Sequence, residues 1–331
     1  MKKNMICLSF AGLFSLGVSA NELSQFVEMD QKANFIEGVN IVQPPIADET
    51  ATFAESVAQR AQAMSAVAVN RDGSQSALSL SVEALTALEQ AAQGLHRYGL
   101  DEKLFYSPEK AATIAPFSSK TRDAQGVVIG AEDSRTRVTN TTSAPYQYIG
   151  RIDIGCTGTL IGDKYVLTAG HCVSNGAGSW YRELGFSAGQ NGSAKPWGTS
   201  SWKTAVTTSA WLNNGNSNYD YALIVLDEAP NGGHASWGIY SGGTHAVTGY
   251  PGDKPFGTMW TDSGTTSAIS DYRICYTLDT AGGESGSAIR DNSNVVRGIH
   301  TTGSSSRNCG TRLTSTVYAT LQDWMSAYQA Q

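Results

Sequence analysis

The chain has 331 residues, with 29 acidic against 23 basic side chains and a formal net charge of −6. With only 16% charged residues it is not a charge-swollen disordered chain, and its acidic balance argues against a dedicated nucleic-acid binder. The averages conceal a split near residue 126. Residues 1–126 hold 7 of the 35 Gly, 20 Ala and no Trp, whereas residues 127–331 hold the other 28 Gly and all seven Trp.

The chain starts with the basic Met1-Lys2-Lys3-Asn4, followed by a mostly apolar run from Met5 to Val18 and the small-residue site Val18-Ser19-Ala20. This is the pattern of a secretory signal peptide, too short to span a bilayer, and it predicts an exported, extracellular protein with residues 1–20 removed. Removal takes Cys7 and leaves Cys156, Cys172, Cys275 and Cys309. Four Cys in an oxidising compartment allow three pairings, and the two shorter loops favour 156–172 with 275–309. No C-x-x-C or H-x-x-x-H spacing supports a zinc site, so no metal or organic cofactor is expected.

Residues 51–100 are rich in Ala, Gln, Glu and Leu. Val57, Ala61, Met64 and Ala68, then Val82, Leu85, Leu88, Ala92 and Leu95, recur at helical spacing and predict two amphipathic helices. Residues 101–126 read as a linker. After Gly126 the period changes to short β-type runs bounded by Gly, Asn, Ser and Pro. Examples are 146–154, 158–161, 165–168, 219–226, 245–250, 273–277, 287–289 and 295–300, which together predict an all-β sandwich or barrel. Val317, Leu321, Trp324 and Tyr328 mark a closing helix.

Three segments carry chemistry. Leu167-Thr168-Ala169-Gly170-His171-Cys172 runs a strand into a tight turn that presents His171, a side chain able to exchange a proton near neutrality. In Asn218-Tyr219-Asp220-Tyr221, Asp220 heads an apolar strand, where a carboxylate needs a partner such as a His Nδ1–H. In Asp279-Thr280-Ala281-Gly282-Gly283-Glu284-Ser285-Gly286-Ser287, glycines flank a Ser, and the N–H groups of Gly283 and Ser285 can form an oxyanion hole. His171, Asp220 and Ser285 follow one another in the chymotrypsin order, and Ser287 breaks the G-x-S-x-G elbow of α/β-hydrolases.

The segments Cys156-Thr157-Gly158-Thr159-Leu160-Ile161, Thr168–Cys172, Val247-Thr248-Gly249-Tyr250-Pro251-Gly252-Asp253-Lys254-Pro255 and Gly282–Ser287 resemble those of chymotrypsin-fold serine proteases of the V8-type glutamyl endopeptidase group. The resemblance covers residues 127–331. It implies two six-stranded antiparallel β-barrels with the triad at their interface, a C-terminal helix, and a monomer acting on protein or peptide substrates, with no nucleic acid or membrane partner. Gly298-Ile299-His300 matches the segment whose His contacts the P1 carboxylate, and Thr280 matches a pocket Thr, so His300 and Thr280 are the P1 candidates. Val127-Val128-Ile129-Gly130 resembles a mature amino terminus. This implies a partly helical propeptide over 21–126, cut at or close to Gly126–Val127, and a protease domain over 127–331.

Two positions depart from the group. Asp279 stands where trypsin-like enzymes read Lys or Arg, which keeps a trypsin-like P1 preference open. Glu284 stands where the group carries an uncharged amide, and an acid there can pair with a newly released α-amino group, as in trypsin-like zymogens. The reading from a different class is a catalytically silent adhesin or toxin built on the same fold.

Overall fold

Runs of apolar and β-branched residues over Cys156–Gly162, Tyr165–Thr168 and Ala222–Leu226 form strands in which every residue is buried. They lie at the centre of the first of two barrels. The computed structural model describes residues 25–37, 55–97, 126–127, 129, 132–230 and 233–329. The signal sequence and nearly all of the 101–126 linker fall outside the described residues.

In the first barrel six antiparallel strands follow the order Trp202–Thr208, Ala222–Leu226, Tyr165–Thr168, Cys156–Gly162, Ile149–Ile152 and Phe186–Ala188. A bridge between Phe186 and Ser200 brings the two ends together. The second barrel orders Gly243–Gly249, Ala288–Asp291, Val296–Gly303, Asn308–Arg312, Arg273–Tyr276 and Met259–Ala268, and Gly243–Gly249 pairs back onto Met259–Ala268 to close it. This is the chymotrypsin-like fold. The second barrel closes through a strand pair, whereas the first closes through a single bridge and leaves the outer edge of Trp202–Thr208 available for pairing. The disulfides are Cys156–Cys172 and Cys275–Cys309, the favoured pairing.

The closing helix Ser315–Ala327 is N-capped by Thr314 and buries Val317, Leu321 and Trp324. The Trp324 ring stacks on Tyr221, with centroids 5.5 Å apart, which ties the helix to the strand that begins just after Asp220.

The segment before residue 98 is less helical than its sequence suggests. The first helix, Val57–Met64, opens with a Ser56–Gln59 capping box but stops before Ala68, which lies in the strand Ala66–Asn70. Helical periodicity through Ala68 is therefore a misreading. The alternation Ala66-Val67-Ala68-Val69 satisfies a strand as well, and pairing with a waiting edge decides the outcome. That edge is Trp202–Thr208, on which Ala66–Asn70 lies antiparallel; Gln75–Leu78 and Val27–Met29 extend the same sheet outward. A second contact pairs Asn34–Ile36 in parallel with Ser179–Tyr181. The second helix, Val82–Arg97, forms as expected and packs on the C-terminal helix. The Glu55 carboxylate accepts hydrogen bonds from the hydroxyls of Tyr219 and Tyr272, the latter at 2.6 Å.

Leu85 is fully buried on the second helix. In the uncut chain Leu85→Ala is expected to cost about 2–5 kcal/mol. Chemical denaturation of the full chain, compared with its Leu85 parent, should register that loss.

Candidate active site

The strand Tyr165–Thr168 delivers the chain into the 3-10 turn Gly170–Cys172, where a side chain at Gly170 would strike the Trp211 ring. The turn lets Asp220 hold His171 twice: Oδ1 accepts the His171 backbone N–H at 2.9 Å, and Oδ2 faces Nδ1 at 2.8 Å. A carboxylate only accepts, so Nδ1 carries the proton and the Nε2 lone pair is available as a base. Asp220 is fully buried at the end of the short turn Ser217–Tyr219, and its carbonyl accepts from Thr311 Oγ1 of the second barrel at 2.9 Å. An edge-on contact from Trp211, with centroids 5.9 Å apart, supports the imidazole ring.

The Ser285 loop is shaped by two glycines with left-handed backbones, Gly283 at φ 99° and Gly286 at φ 85°. A side chain at Gly286 would collide with Thr168 Oγ1 and the Thr157 carbonyl, so the loop and the histidine strand are as close as backbones allow. Thr157 N–H donates to the Ser285 carbonyl at 2.9 Å, and Gly286 N–H to the His300 carbonyl at 2.8 Å. Gly252 N–H and Thr157 Oγ1 bind the carbonyls of Gly282 and Gly283. Among the described residues no acceptor takes the N–H of Gly283 or Ser285, which leaves both able to receive an oxyanion. Ser285 Oγ and His171 Nε2 are both buried and without a hydrogen-bond partner, as a nucleophile and base awaiting substrate can be.

His300 and Thr280 are fully buried, and Thr280 Oγ1 also lacks a partner. His300 Nδ1 lies 2.7 Å from the Tyr276 hydroxyl. Burial pushes the His300 imidazole down to about 3, with the charges of His171 and Arg273 adding to the shift, so the ring is neutral at working pH.

Asp279 does not present an unfilled carboxylate. Its Oδ1 accepts from Ile129 N–H at 2.6 Å, and its Oδ2 from the N–H and hydroxyl of Ser134 at 2.8 and 2.7 Å. The expected cleavage junction lies next to it, with Gly126–Val127 pairing antiparallel with Thr280–Ala281. In the continuous chain Glu284 meets Arg135, at 3.5 Å. Burial pushes its carboxyl up to about 8, against the pull of Arg135 and the Ala281 N–H. Arg135, Asp133, Tyr276 and Trp211 escaped the sequence reading. Each is an ordinary polar or aromatic residue with no spacing to mark it.

The trypsin family model matches residues 134–326. The chain belongs to the trypsin family. This serine endopeptidase is of the V8 type: it is 38% identical over 266 residues to the glutamyl endopeptidase of Bacillus licheniformis, covering 70% of this chain and 81% of the relative. It is 37% identical over 218 residues to a Bacillus subtilis (strain 168) protein named extracellular metalloprotease, covering 60% and 69% respectively. A solved structure of a Glu endopeptidase in complex with MPD superposes with a TM-score of 0.57 at 34% identity, covering 61% of this chain and all of that one.

The second relative's name raises the question of a metal. Among the described residues the one cluster of three ligand-type side chains is Cys156, His171 and Cys172. Its sulfurs are bonded to each other and Nδ1 of its imidazole faces Asp220, a donor set that does not fit a metal ion. As a serine endopeptidase the protein acts on peptide or protein substrates. Among the described residues no helix is long and apolar enough to cross a membrane.

The Glu284 shift carries a pH signature. An unfolded Glu ionises near its ordinary 4.5, whereas the folded one keeps its proton to about 8. Glu284 therefore contributes stability that is whole below 4.5 and is lost as pH rises through 8. In a Ser285→Ala background, Glu284→Gln should gain on its parent by up to about 1.4 kcal/mol per pH unit across that window and level off beyond it. Denaturant titrations at half-unit pH steps give the measurement.

Proposed function

We propose that this chain is a secreted endopeptidase that cleaves after Glu or Asp and is made with a signal peptide over 1–20 and a propeptide over 21–126. Ser285 Oγ attacks the scissile carbonyl while His171 Nε2 takes its proton. Asp220 holds the ring and stabilises the imidazolium, and the N–H groups of Gly283 and Ser285 receive the oxyanion. His171 then returns the proton to the leaving amine, and water repeats the sequence on the acyl-enzyme. The observation that carries this reading is the buried His171–Asp220 pair at 2.8 Å, together with a buried, unpartnered Ser285 hydroxyl on a loop whose Ser285 carbonyl lies 3.5 Å from Cys172 Sγ.

The acidic preference rests on Thr280 and His300. A P1 carboxylate reaching them meets a hydroxyl and an imidazole, and its charge favours proton uptake by a ring that is neutral in the empty site. The glutamyl endopeptidases among the relatives support the same reading. The trypsin-like alternative needs Asp279 to meet a Lys or Arg, yet three donors from Ile129 and Ser134 occupy its oxygens. The proposed cleavage at Gly126–Val127 would leave a protease domain of residues 127–331, acting as a monomer.

On a peptide panel varied only at P1, kcat/KM for Glu should exceed that for Lys by about 100-fold or more. His300→Gln should lower the P1-Glu value by about 10- to 100-fold, the range for a lost hydrogen bond to a charged group. A Lys preference, or a P1-Glu value indifferent to His300, would remove this specificity.

A further inference from the structure

Glu284 and Gly283 shape the turn that offers the oxyanion donors, so whatever holds that turn governs kcat. Two contacts fix it from behind. Gly252 N–H donates to the Gly282 carbonyl at 2.6 Å, and a side chain at Gly283 would run into the Tyr250 carbonyl. The strand-end loop Tyr250–Asp253 is thus the template against which Gly282–Gly283 is formed.

Arg135 holds that template. Its side chain has no exposure to water. It forks onto Asp133 through Nε and Nη2, both at 2.9 Å, and Nη1 reaches Asp253 Oδ1 at 3.0 Å. The same Nη1 lies 3.5 Å from Glu284 Oε2, whose nearer partner is the Ala281 N–H at 2.8 Å. Lys254 Nζ closes the cluster on Asp133 at 2.6 Å. The next residue back, Ser134, is held by Asp279 six positions before the nucleophile. All of these contacts exist with the chain continuous through Gly126–Val127.

We propose that Arg135 is a positioning residue for the oxyanion loop: by clamping the Asp253 loop and Glu284 together it builds, in the uncut chain, the geometry that trypsin-like zymogens gain from a released amino terminus. The guanidinium is suited to this because its fork engages two carboxylates at fixed angles, which an ammonium cannot copy. Asp133 and Asp253 remain about a quarter exposed and stay hydrated if Arg135 is lost, whereas Glu284 is buried. Loss of Arg135 therefore falls on the loop rather than on the fold as a whole.

The proposal rests on Ser285 as nucleophile and Gly283 and Ser285 as oxyanion donors. Active-site titration of the parent enzyme tests those roles separately, because no acylation burst would appear if they failed. With kcat expressed per titrated site on a P1-Glu peptide, Arg135→Met should lower kcat by about 30-fold, the scale of a misplaced oxyanion donor, and leave KM within about threefold. Arg135→Lys, which keeps charge without the fork, should lower kcat by about fivefold. Adding Asp253→Asn to Arg135→Met should change kcat by no more than about twofold, since both act through one loop. A purely structural role would lower the melting temperature and the titrated fraction while sparing kcat per site. That result, or an Asp253→Asn effect that multiplies fully with Arg135→Met, overturns the proposal. If Arg135→Met does not accumulate folded, Arg135→Lys decides, and an unchanged kcat overturns the proposal.

Discussion

The seam between the two barrels is the constraint on which the site depends. Thr157 N–H of the first barrel donates to the Ser285 carbonyl at 2.9 Å, and Thr311 Oγ1 of the second donates to the Asp220 carbonyl at 2.9 Å. Each barrel thus holds in place a functional residue belonging to the other. Within the first barrel the Cys156–Cys172 disulfide joins the residue before Thr157 to the residue after His171, which fixes that barrel's side of the seam. The missing side chain at Gly286 permits the close approach, and burial of all three groups excludes water that would screen them. The proposed base, its orienting acid and the proposed nucleophile meet where the contact between the barrels is short.

Much of this was legible in the residues. His171 and Ser285 stand at glycine-bearing turns and Asp220 heads an apolar strand, and the structure brings all three to one seam. The halves of the chain differ in Gly content because the turn-rich barrels use many left-handed bends, whereas among the described residues before 98 only Gly73 has such a backbone. What escaped notice follows a common physical pattern. Met259–Ala268 is a ten-residue strand of mostly polar residues. It is a strand because neighbouring edges supply the hydrogen bonds, which local propensity does not report. Ala68 fails for the same reason in the opposite direction.

Charge was the least legible feature. Asp279 and Glu284 looked like two departures with separate meanings, one for specificity and one for activation. In the continuous chain both face the segment just after the expected cleavage junction, Asp279 through Ile129 and Ser134 and Glu284 through Arg135. Such pairing links residues about 150 positions apart in the chain, and no spacing rule anticipates it. The preceding segment docks by similar long-range means, adding strands to the edge Trp202–Thr208 and a carboxylate to the Tyr219 and Tyr272 hydroxyls. Its contacts lie on the first barrel, along the C-terminal helix and, through Tyr272, on the second barrel.

The central claim is that His171 and Asp220 make Ser285 a nucleophile. Diisopropyl fluorophosphate, which phosphorylates an activated serine hydroxyl, tests it most directly when followed by peptide mapping of the labelled enzyme. The account predicts one adduct per chain, on Ser285, with labelling abolished by His171→Ala. An unlabelled enzyme that still hydrolyses peptides, or an adduct on another residue, would contradict it.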